Sequence, residues 1–263
     1  MVELLKGETL FGKYDKVKTA IDRLRQFEPP EGYYLAFSGG KDSVVIKRLA
    51  EMSGVKFDAH YNLTTVDPPE LVQFIRREHP EVHWDRPKET MWELIVKKGF
   101  PPVRHIRYCC EVLKESNGKG RFMVTGVRAA ESPRRRRQWQ VVDICPSQSK
   151  RVLNPIFDWT DEDVWQFIHE NEIPYCSLYD EGFKRLGCIM CPMTGTKQMS
   201  KEAERWPKHA AAYRRACERA FKSRVESGGA YKSWTSGDDM FEWWINGSPA
   251  QDEDESQQRF FFE

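Results

Sequence analysis

Residues 33–43 read Tyr33-Tyr34-Leu35-Ala36-Phe37-Ser38-Gly39-Gly40-Lys41-Asp42-Ser43. Tyr33 to Phe37 is a short apolar run and predicts a buried strand. Ser43 to Met52, with Val44, Val45, Leu49 and Ala50 apolar, predicts a helix. Between them Ser38-Gly39-Gly40 turns the chain. A strand–turn–helix junction of this kind offers free backbone N–H groups and the positive helix end, which suit an anion and above all phosphate. Gly39 and Gly40 let the backbone approach closely and take positive φ. Ser38 and Ser43 add hydroxyls and Lys41 adds charge. Asp42 is the odd member. A carboxylate beside phosphates makes sense through a cation, so Mg²⁺ is expected there.

The string is not a Walker A loop, because Leu35 stands where that motif needs glycine and Asp42 where it needs Ser or Thr. Nor is it G-x-G-x-x-G. It resembles the PP-loop (pyrophosphate-binding loop) of ATP pyrophosphatases, which cleave ATP between the α and β phosphates and adenylate a substrate. That resemblance implies ATP–Mg²⁺ binding, with Lys41 and Asp42 as catalytic candidates. The plainer alternative is a Gly-Gly helix start with no ligand.

Outward from the turn, Lys56 to Tyr61 predicts a second strand and Pro68 to Glu78 a second helix. Val82 to Trp84 is a short third strand candidate and Arg121 to Gly126 a further one. Strands alternating with helices predict an α/β fold with a parallel sheet covered on both faces, Rossmann-like, followed by a mostly helical C-terminal part. Upstream, Leu10, Tyr14, Val17, Ile21 and Leu24 fall at helical steps and predict an amphipathic helix ended by Pro29-Pro30-Glu31-Gly32. Downstream, Thr160-Asp161-Glu162-Asp163 reads as an N-cap with an acidic first turn, opening a helix through Glu170. Ser200 opens a long helix expected to reach about Val225. The expected blocks are 1–30, the N-terminal helix; 31–195, the nucleotide and metal domain; 196–248, helical, basic and Trp-rich; and 249–263, an acidic disordered tail.

The chain has 263 residues, with 41 Lys and Arg against 40 Asp and Glu, and a mean hydropathy of −0.68. No apolar run approaches the roughly 18 residues that cross a bilayer, and the first 30 residues carry too many charges for a secretory signal. A cytoplasmic protein with no membrane partner and reduced thiols is expected. Nine Lys or Arg against three Glu fill 197–224, while 238–263 holds eight acidic residues against Arg259 alone. Such asymmetry signals partners rather than fold. Arg205, Lys208, Arg215, Arg219 and Lys222 recur near one helix face and suit a nucleic-acid backbone, with a solvated face as the plain alternative. Trp206 and Tyr213 read as core rather than as base-stacking platforms.

Seven cysteines in a reducing compartment point to metal or redox chemistry. Cys109-Cys110 and Cys188-x-x-Cys191 supply four thiolates, which fit Zn²⁺ or an iron–sulfur cluster. Adjacent cysteines diverge, and a [4Fe–4S] cube with separated iron corners suits them better than one zinc ion. Cys145, Cys176 and Cys217 have no sequence partner and receive no role.

Loop and cysteines together resemble the phosphoadenosine phosphosulfate (PAPS) reductase family, from about residue 33 to about 195. Arg107-Tyr108-Cys109-Cys110 with Lys114 is similar to the double-cysteine segment of its cluster-bearing adenylylsulfate reductases. Gly126-Val127-Arg128 with Glu131-Ser132-Pro133 and Arg135 resembles its Gly-x-Arg…Ser-x-x-Arg segment. Asn154 to Thr160 with Asp163-Val164-Trp165, Leu178-Tyr179-Asp180, and Gly187-Cys188 to Cys191 resemble later motifs in the family's order. Thr65-Val66-Asp67-Pro68-Pro69-Glu70 is a looser counterpart of its Asp-Thr-Gly…Pro-Glu-Thr stretch. The resemblance implies an adenine nucleotide held by Ser38, Gly39, Gly40, Lys41, Asp42, Ser43, Asp67 and Gly126, with Arg128 and Arg135 facing its anionic end. Arginine suits that place through bidentate, charge-assisted bonds.

The departures set the expected chemistry. The family's sulfonucleotide reductases use a nucleophilic thiol in a C-terminal Glu-Cys-Gly-Leu-His motif, and here no cysteine follows Cys217. They also commonly lack the loop lysine, whereas Lys41 can neutralise a pyrophosphate leaving group. An ATP pyrophosphatase-type transferase is therefore expected, adenylating an acceptor for sulfur transfer from a sulfur donor, as in relatives acting in tRNA thiolation and DNA phosphorothioation. An adenylylsulfate or PAPS reductase and a non-catalytic regulatory protein are the alternatives.

Overall fold

In the computed structural model, residues 5–9, 12–145 and 150–247 are described. The acidic tail at 249–263 lies outside them. By chain contacts the protein resolves into two compact units, one of 1–63, 67–86 and 114–187, the other of 64–66, 87–113 and 188–263. Residues 31–195 thus contribute to both units rather than to one block.

The first unit is built on a six-stranded sheet. Its strands are β3 (Tyr33–Ala36), β4 (Phe57–Asn62), β5 (His83–Asp85), β6 (Phe122–Val124), β7 (Val142–Cys145) and β8 (Lys150–Leu153), in the order β5-β4-β3-β6-β8-β7. All neighbours are parallel except β7 and β8. The four expected strands are present. The β7–β8 pair was not expected, because its residues mix charge with branched apolar side chains and half-bury only one face (Ile144 is 71% exposed). From β3 the chain moves to β4 and β5 on one side, then returns to β6 on the other. The C-terminal end of β3 is therefore a topological switch point, the place where open parallel sheets bind ligands. Helices α2 (Lys41–Ser53), α3 (Pro69–Glu78) and α7 (Asp161–Glu170) belong to this unit.

At the N-terminus the expected helix starts late. Lys6–Thr9 (β1) and Gly12–Asp15 (β2) pair as an antiparallel hairpin, and α1 spans Lys16–Gln26. Asp15 decides the boundary, since its side chain accepts the Lys18 N–H at 2.9 Å. Tyr14 therefore precedes the helix it was expected to join, and Leu10 lies outside the described residues.

The second unit is helical. It holds α4 (Met91–Lys98), α5 (Tyr108–Leu113), α8 (Thr196–Arg205), α9 (Pro207–Glu226) and α10 (Gly237–Asn246). The single helix expected from Ser200 is two, because Pro207 has no N–H to donate and disfavours helical backbone at Trp206, which sits at φ −124° and ψ 68°. Trp206 and Tyr213 are core residues (6% and 1% exposed). Tyr213 is flanked by Trp92 and Trp244, ring centroids 4.9 and 4.7 Å away. No helix among the described residues is long and apolar enough to cross a membrane.

His79, at the end of α3, sits edge-on to Phe37 and Phe74 in the first unit. Burial, helped by nearby Lys47 and opposed by Glu81, Glu51 and Glu78, pushes its imidazole below the ordinary histidine range. The unfolded chain therefore binds the extra proton, and stability is lost as pH falls from about 6.5 through the folded-state value. The urea midpoint of the wild type is expected to drop more between about pH 7.5 and pH 5 than that of His79→Gln. Equal drops would show that His79 carries none of this dependence.

Candidate functional site

The loop after β3 is shaped by close contacts. Gly39 has φ 71°, and a Cβ there would lie 2.7 Å from Leu71 Cδ1 and 2.8 Å from Ile75 Cδ1 on α3. Only glycine meets both demands. Gly40 precedes α2, whose N-terminus has no side-chain cap. The Ser43 hydroxyl donates to Gly40 O at 2.8 Å and lies 3.3 Å from Ser38 Oγ. The Lys41 N–H donates to Tyr179 Oη at 2.8 Å, from a 3₁₀ turn at Ser177–Tyr179.

Lys41 is buried (6% exposed). Its ammonium lies 3.2 Å from Asp161 Oδ1 and 3.8 Å from Asp42 Oδ2, donates to Lys184 O at 3.3 Å, and stands 5.8 Å from the Tyr179 ring centre. Arg128, at 2% exposure, spans the same carboxylates. Its Nε donates to Asp42 Oδ1 at 2.6 Å and its Nη2 to Asp161 Oδ1 at 2.8 Å. Burial works to raise the Asp161 carboxyl, yet Lys41 and Arg128 hold it below the ordinary carboxylate range. Burial likewise works against the Arg128 charge, and Asp42 and Asp161 raise its pKa in spite of it. The result is a quartet of two cations and two carboxylates.

Each member has a built position. Lys41 and Asp42 open α2. Arg128 follows β6, and its N–H donates to Glu131 Oε1 at 3.1 Å. Asp161 is the first residue of α7, fixed by a capping box in which Thr160 Oγ1 accepts the Asp163 N–H and Asp163 Oδ2 accepts the Thr160 N–H. Buried Asp163 is also held by Lys16 Nζ at 2.5 Å. Gly126 permits the approach, since a Cβ there would lie 2.9 Å from Asp42 Cβ and 3.1 Å from its carbonyl carbon.

Of the residues expected from sequence, Lys41, Asp42 and Arg128 meet directly, with Ser38, Gly39, Gly40, Ser43 and Gly126 shaping the turn. Arg135 stands beside them, its Nη1 on Glu131 Oε1 at 2.6 Å. Burial lowers its pKa, Glu131 opposes this, and neighbouring Arg185 adds to the lowering. Asp67 is buried two residues ahead of α3. Asp42, expected to need a cation, already has one in Arg128. Asp161 and Tyr179 were not singled out, although Asp161 lay in the acidic first turn and Tyr179 in the Leu-Tyr-Asp string.

The four thiols lie together in the second unit. Cys109 and Cys110 sit on α5. Cys188 and Cys191 flank Ile189 and Met190, whose backbones are tied down by three bonds. Ile189 N–H donates to Val66 O at 2.8 Å, Tyr213 Oη to Ile189 O at 3.2 Å, and Met190 N–H to buried Glu202 Oε2 at 2.6 Å. Cys188 Sγ lies 3.4 Å from Thr64 Oγ1. The Cys110 thiol, burial, and then Cys188 and Cys191 push the Cys109 thiol up, as like charges and burial disfavour a thiolate. Cys176 and Cys217 are buried apart as core residues.

A glycine turn at a sheet switch point, facing buried lysine and arginine, defines a nucleotide-type α/β fold. The sequence pattern of the phosphoadenosine phosphosulfate reductase domain matches residues 32–194, and the chain belongs to that family. It is 29% identical over 194 residues to an adenosine 5'-phosphosulfate reductase of Pseudomonas aeruginosa, covering 66% of this chain and 71% of that one. It is 30% identical over 189 residues to an uncharacterized protein of Methanocaldococcus jannaschii, covering 66% of this chain and 39% of that one. The chain thus spans less than half the length of that archaeal relative. The phosphoadenylyl-sulfate reductase of Candida auris, solved as a phosphate complex, shares the fold at TM-score 0.52 and 21% identity, covering 65% of this chain and 88% of that one.

Gly126→Ala forces α2 and the segment after β6 apart. It is expected to destabilise the fold by about 1–3 kcal/mol in urea denaturation, the usual effect of overpacking. Gly187→Ala, whose Cβ meets nothing within 4 Å, is expected to leave the midpoint unchanged.

Proposed function

We propose that this chain is a nucleotide-activating transferase that takes ATP at the β3–α2 turn. The observation that carries this reading is the buried Lys41 ammonium at the first turn of α2, paired with Arg128 across Asp42 and Asp161. Two cations at one helix start suit a polyphosphate, and both are preorganised by the fold. With the ligand's charge added, Asp42 and Asp161 are the residues to hold Mg²⁺.

In the reaction an acceptor oxygen attacks the α-phosphorus. The bond to the bridging α–β oxygen breaks, and pyrophosphate leaves with the electron pair. Lys41 and Arg128 face the charge that develops on the leaving group. A sulfur nucleophile from a donor then displaces AMP from the acceptor. The acceptor class best supported is nucleic acid, because Lys208, Arg215, Arg219 and Lys222 are exposed along α9.

The four cysteines fit a [4Fe–4S] cluster better than zinc. Adjacent Cys109 and Cys110 on α5 project in different directions, which the separated iron corners of a cube accommodate with less strain than one zinc ion. When bound, such a cluster supplies a structural or electron-transfer centre. Cys109, Cys110, Cys188 and Cys191 would hold it.

The relative named adenosine 5'-phosphosulfate reductase favours a second reading, in which the same cations bind a sulfonucleotide. One assay separates the two. Pyrophosphate release from ATP with acceptor present is expected, falling about 100- to 1,000-fold in Lys41→Ala, the loss seen when one preorganised charge-stabilising group is removed. Thiol-dependent sulfite release from adenylylsulfate, without pyrophosphate release from ATP, would overturn the proposal in favour of the reductase.

A further inference from the structure

A second constellation lies on one face of the sheet at its β5 edge. In the parallel register His60 pairs with His83 and Asn62 with Asp85, while Tyr34 pairs with Asp58. Side chains two residues apart share a face, so Tyr34, Asp58, His60, His83 and Asp85 project together. His60 Nδ1 lies 3.0 Å from Asp85 Oδ2 and His83 Nε2 lies 3.5 Å from Asp85 Oδ1. One ligand atom from each of the three residues falls within 4.8 Å of the other two. Metal–nitrogen and metal–oxygen bonds of about 2.0–2.2 Å in a tetrahedral site set ligand atoms about 3.3 Å apart. Each histidine approaches its own Asp85 oxygen at a distance near that value.

The surroundings of His60 point the same way. Its other nitrogen, Nε2, lies 2.5 Å from Asp58 Oδ2. Asp58 is itself gripped by Arg121, with Nη2 to Oδ1 at 2.6 Å. The His60 ring stacks on Tyr34, centroids 4.2 Å apart and planes 15° from parallel. Tyr34 Oη donates to Asp85 Oδ2 at 2.9 Å. A carboxylate on the far nitrogen is the arrangement that fixes the tautomer of a metal-ligating histidine and raises its basicity. Both ring nitrogens of His60 are thus engaged by carboxylates, Nε2 by Asp58 and Nδ1 by Asp85.

We infer that His60, His83 and Asp85 form a second metal site, for zinc or a similar divalent transition ion, with Asp58 and Tyr34 orienting the ligands. The set of two imidazoles and one carboxylate suits such ions rather than Mg²⁺ or Ca²⁺. Three protein ligands leave a fourth tetrahedral position for water or a substrate oxygen, beside the exposed side chain of His83 (66%). The inference does not depend on the nucleotide reading, since none of these residues belongs to the β3–α2 quartet.

Cobalt(II) titration of the full chain, as purified, tests it. The expected signal is a weak ligand-field absorption without the strong thiolate-to-cobalt band, together with a rise in melting temperature. His83→Ala and Asp85→Asn are expected to abolish both. Asp58→Asn is expected to weaken cobalt binding about 10- to 100-fold, as changes behind a ligating histidine do. Cys188→Ser is expected to leave the signal intact, and zinc is expected to displace the cobalt. Because His83 is exposed on an edge strand, metal-free melting of His83→Ala should match the wild type and exclude misfolding. Absence of the thiolate-free signal in the wild type would overturn the site, leaving His60 and His83 as ion-pair partners of Asp85. Its survival in His83→Ala, or its loss in Cys188→Ser, would overturn it equally.

Discussion

The first unit's chemistry rests on one close approach, the seating of Gly126 against the first turn of α2. Without a Cβ at 126, the segment leaving β6 comes within contact of Asp42, and Arg128 is delivered two residues later into the space between Asp42 and Asp161. Guanidinium and carboxylates then fix one another. A guanidinium at 2% exposure is costly to bury alone. The carboxylates that neutralise it come from the starts of two helices, α2 and α7, so the pairing ties those helices to β6 as well as setting the charge of the site.

The electrostatic balance of this quartet explains why both kinds of charge are needed. Lys41 and Arg128 alone would repel each other, and the fold would pay for their proximity in every unliganded molecule. Asp42 and Asp161 cancel that repulsion and leave the cations aligned. A polyphosphate entering beside them brings several negative charges, and the carboxylates then have reason to share a divalent cation rather than only the two side chains. The same residues that stabilise the fold are the ones the proposed reading sets against a ligand carrying its own metal.

Much of this was legible in the chain before folding. The apolar run at 33–37, the double glycine and Lys41-Asp42 announced the turn, because strand burial and positive φ leave few other residues possible. The Gly-x-Arg string announced Arg128. Asp161 and Tyr179 were hidden for a physical reason. An acidic residue in a helix's first turn is expected at any N-terminus, and a tyrosine in a short loop carries no periodicity, so neither reveals a distant partner. The His60–His83 pairing was hidden likewise. It depends on the register between β4 and β5, and a sequence fixes the faces of each strand but not which residues of two strands stand opposite. The break at Pro207 was readable, but the basic periodicity that runs across it was the stronger pattern.

Backbone conformation sets the cysteine loop of the second unit apart. Thr65 and Met190 both hold positive φ, 66° and 57°, where side chains other than glycine are disfavoured. They flank one hydrogen bond, from Ile189 N–H to Val66 O. Here they persist because surrounding bonds over-determine them: Glu202 takes the Met190 N–H, Tyr213 holds Ile189 O, and Thr65 Oγ1 accepts the Met91 N–H at 3.0 Å. Burial raises the pKa of Glu202, with the Gln198 side chain and the Met190 N–H opposing it, so a buried acid is spent on orienting this backbone. Local strain held in place by several independent groups is characteristic of ligand-binding loops. The residues it orients are Cys188 and Cys191, the two sulfurs on either side of Met190.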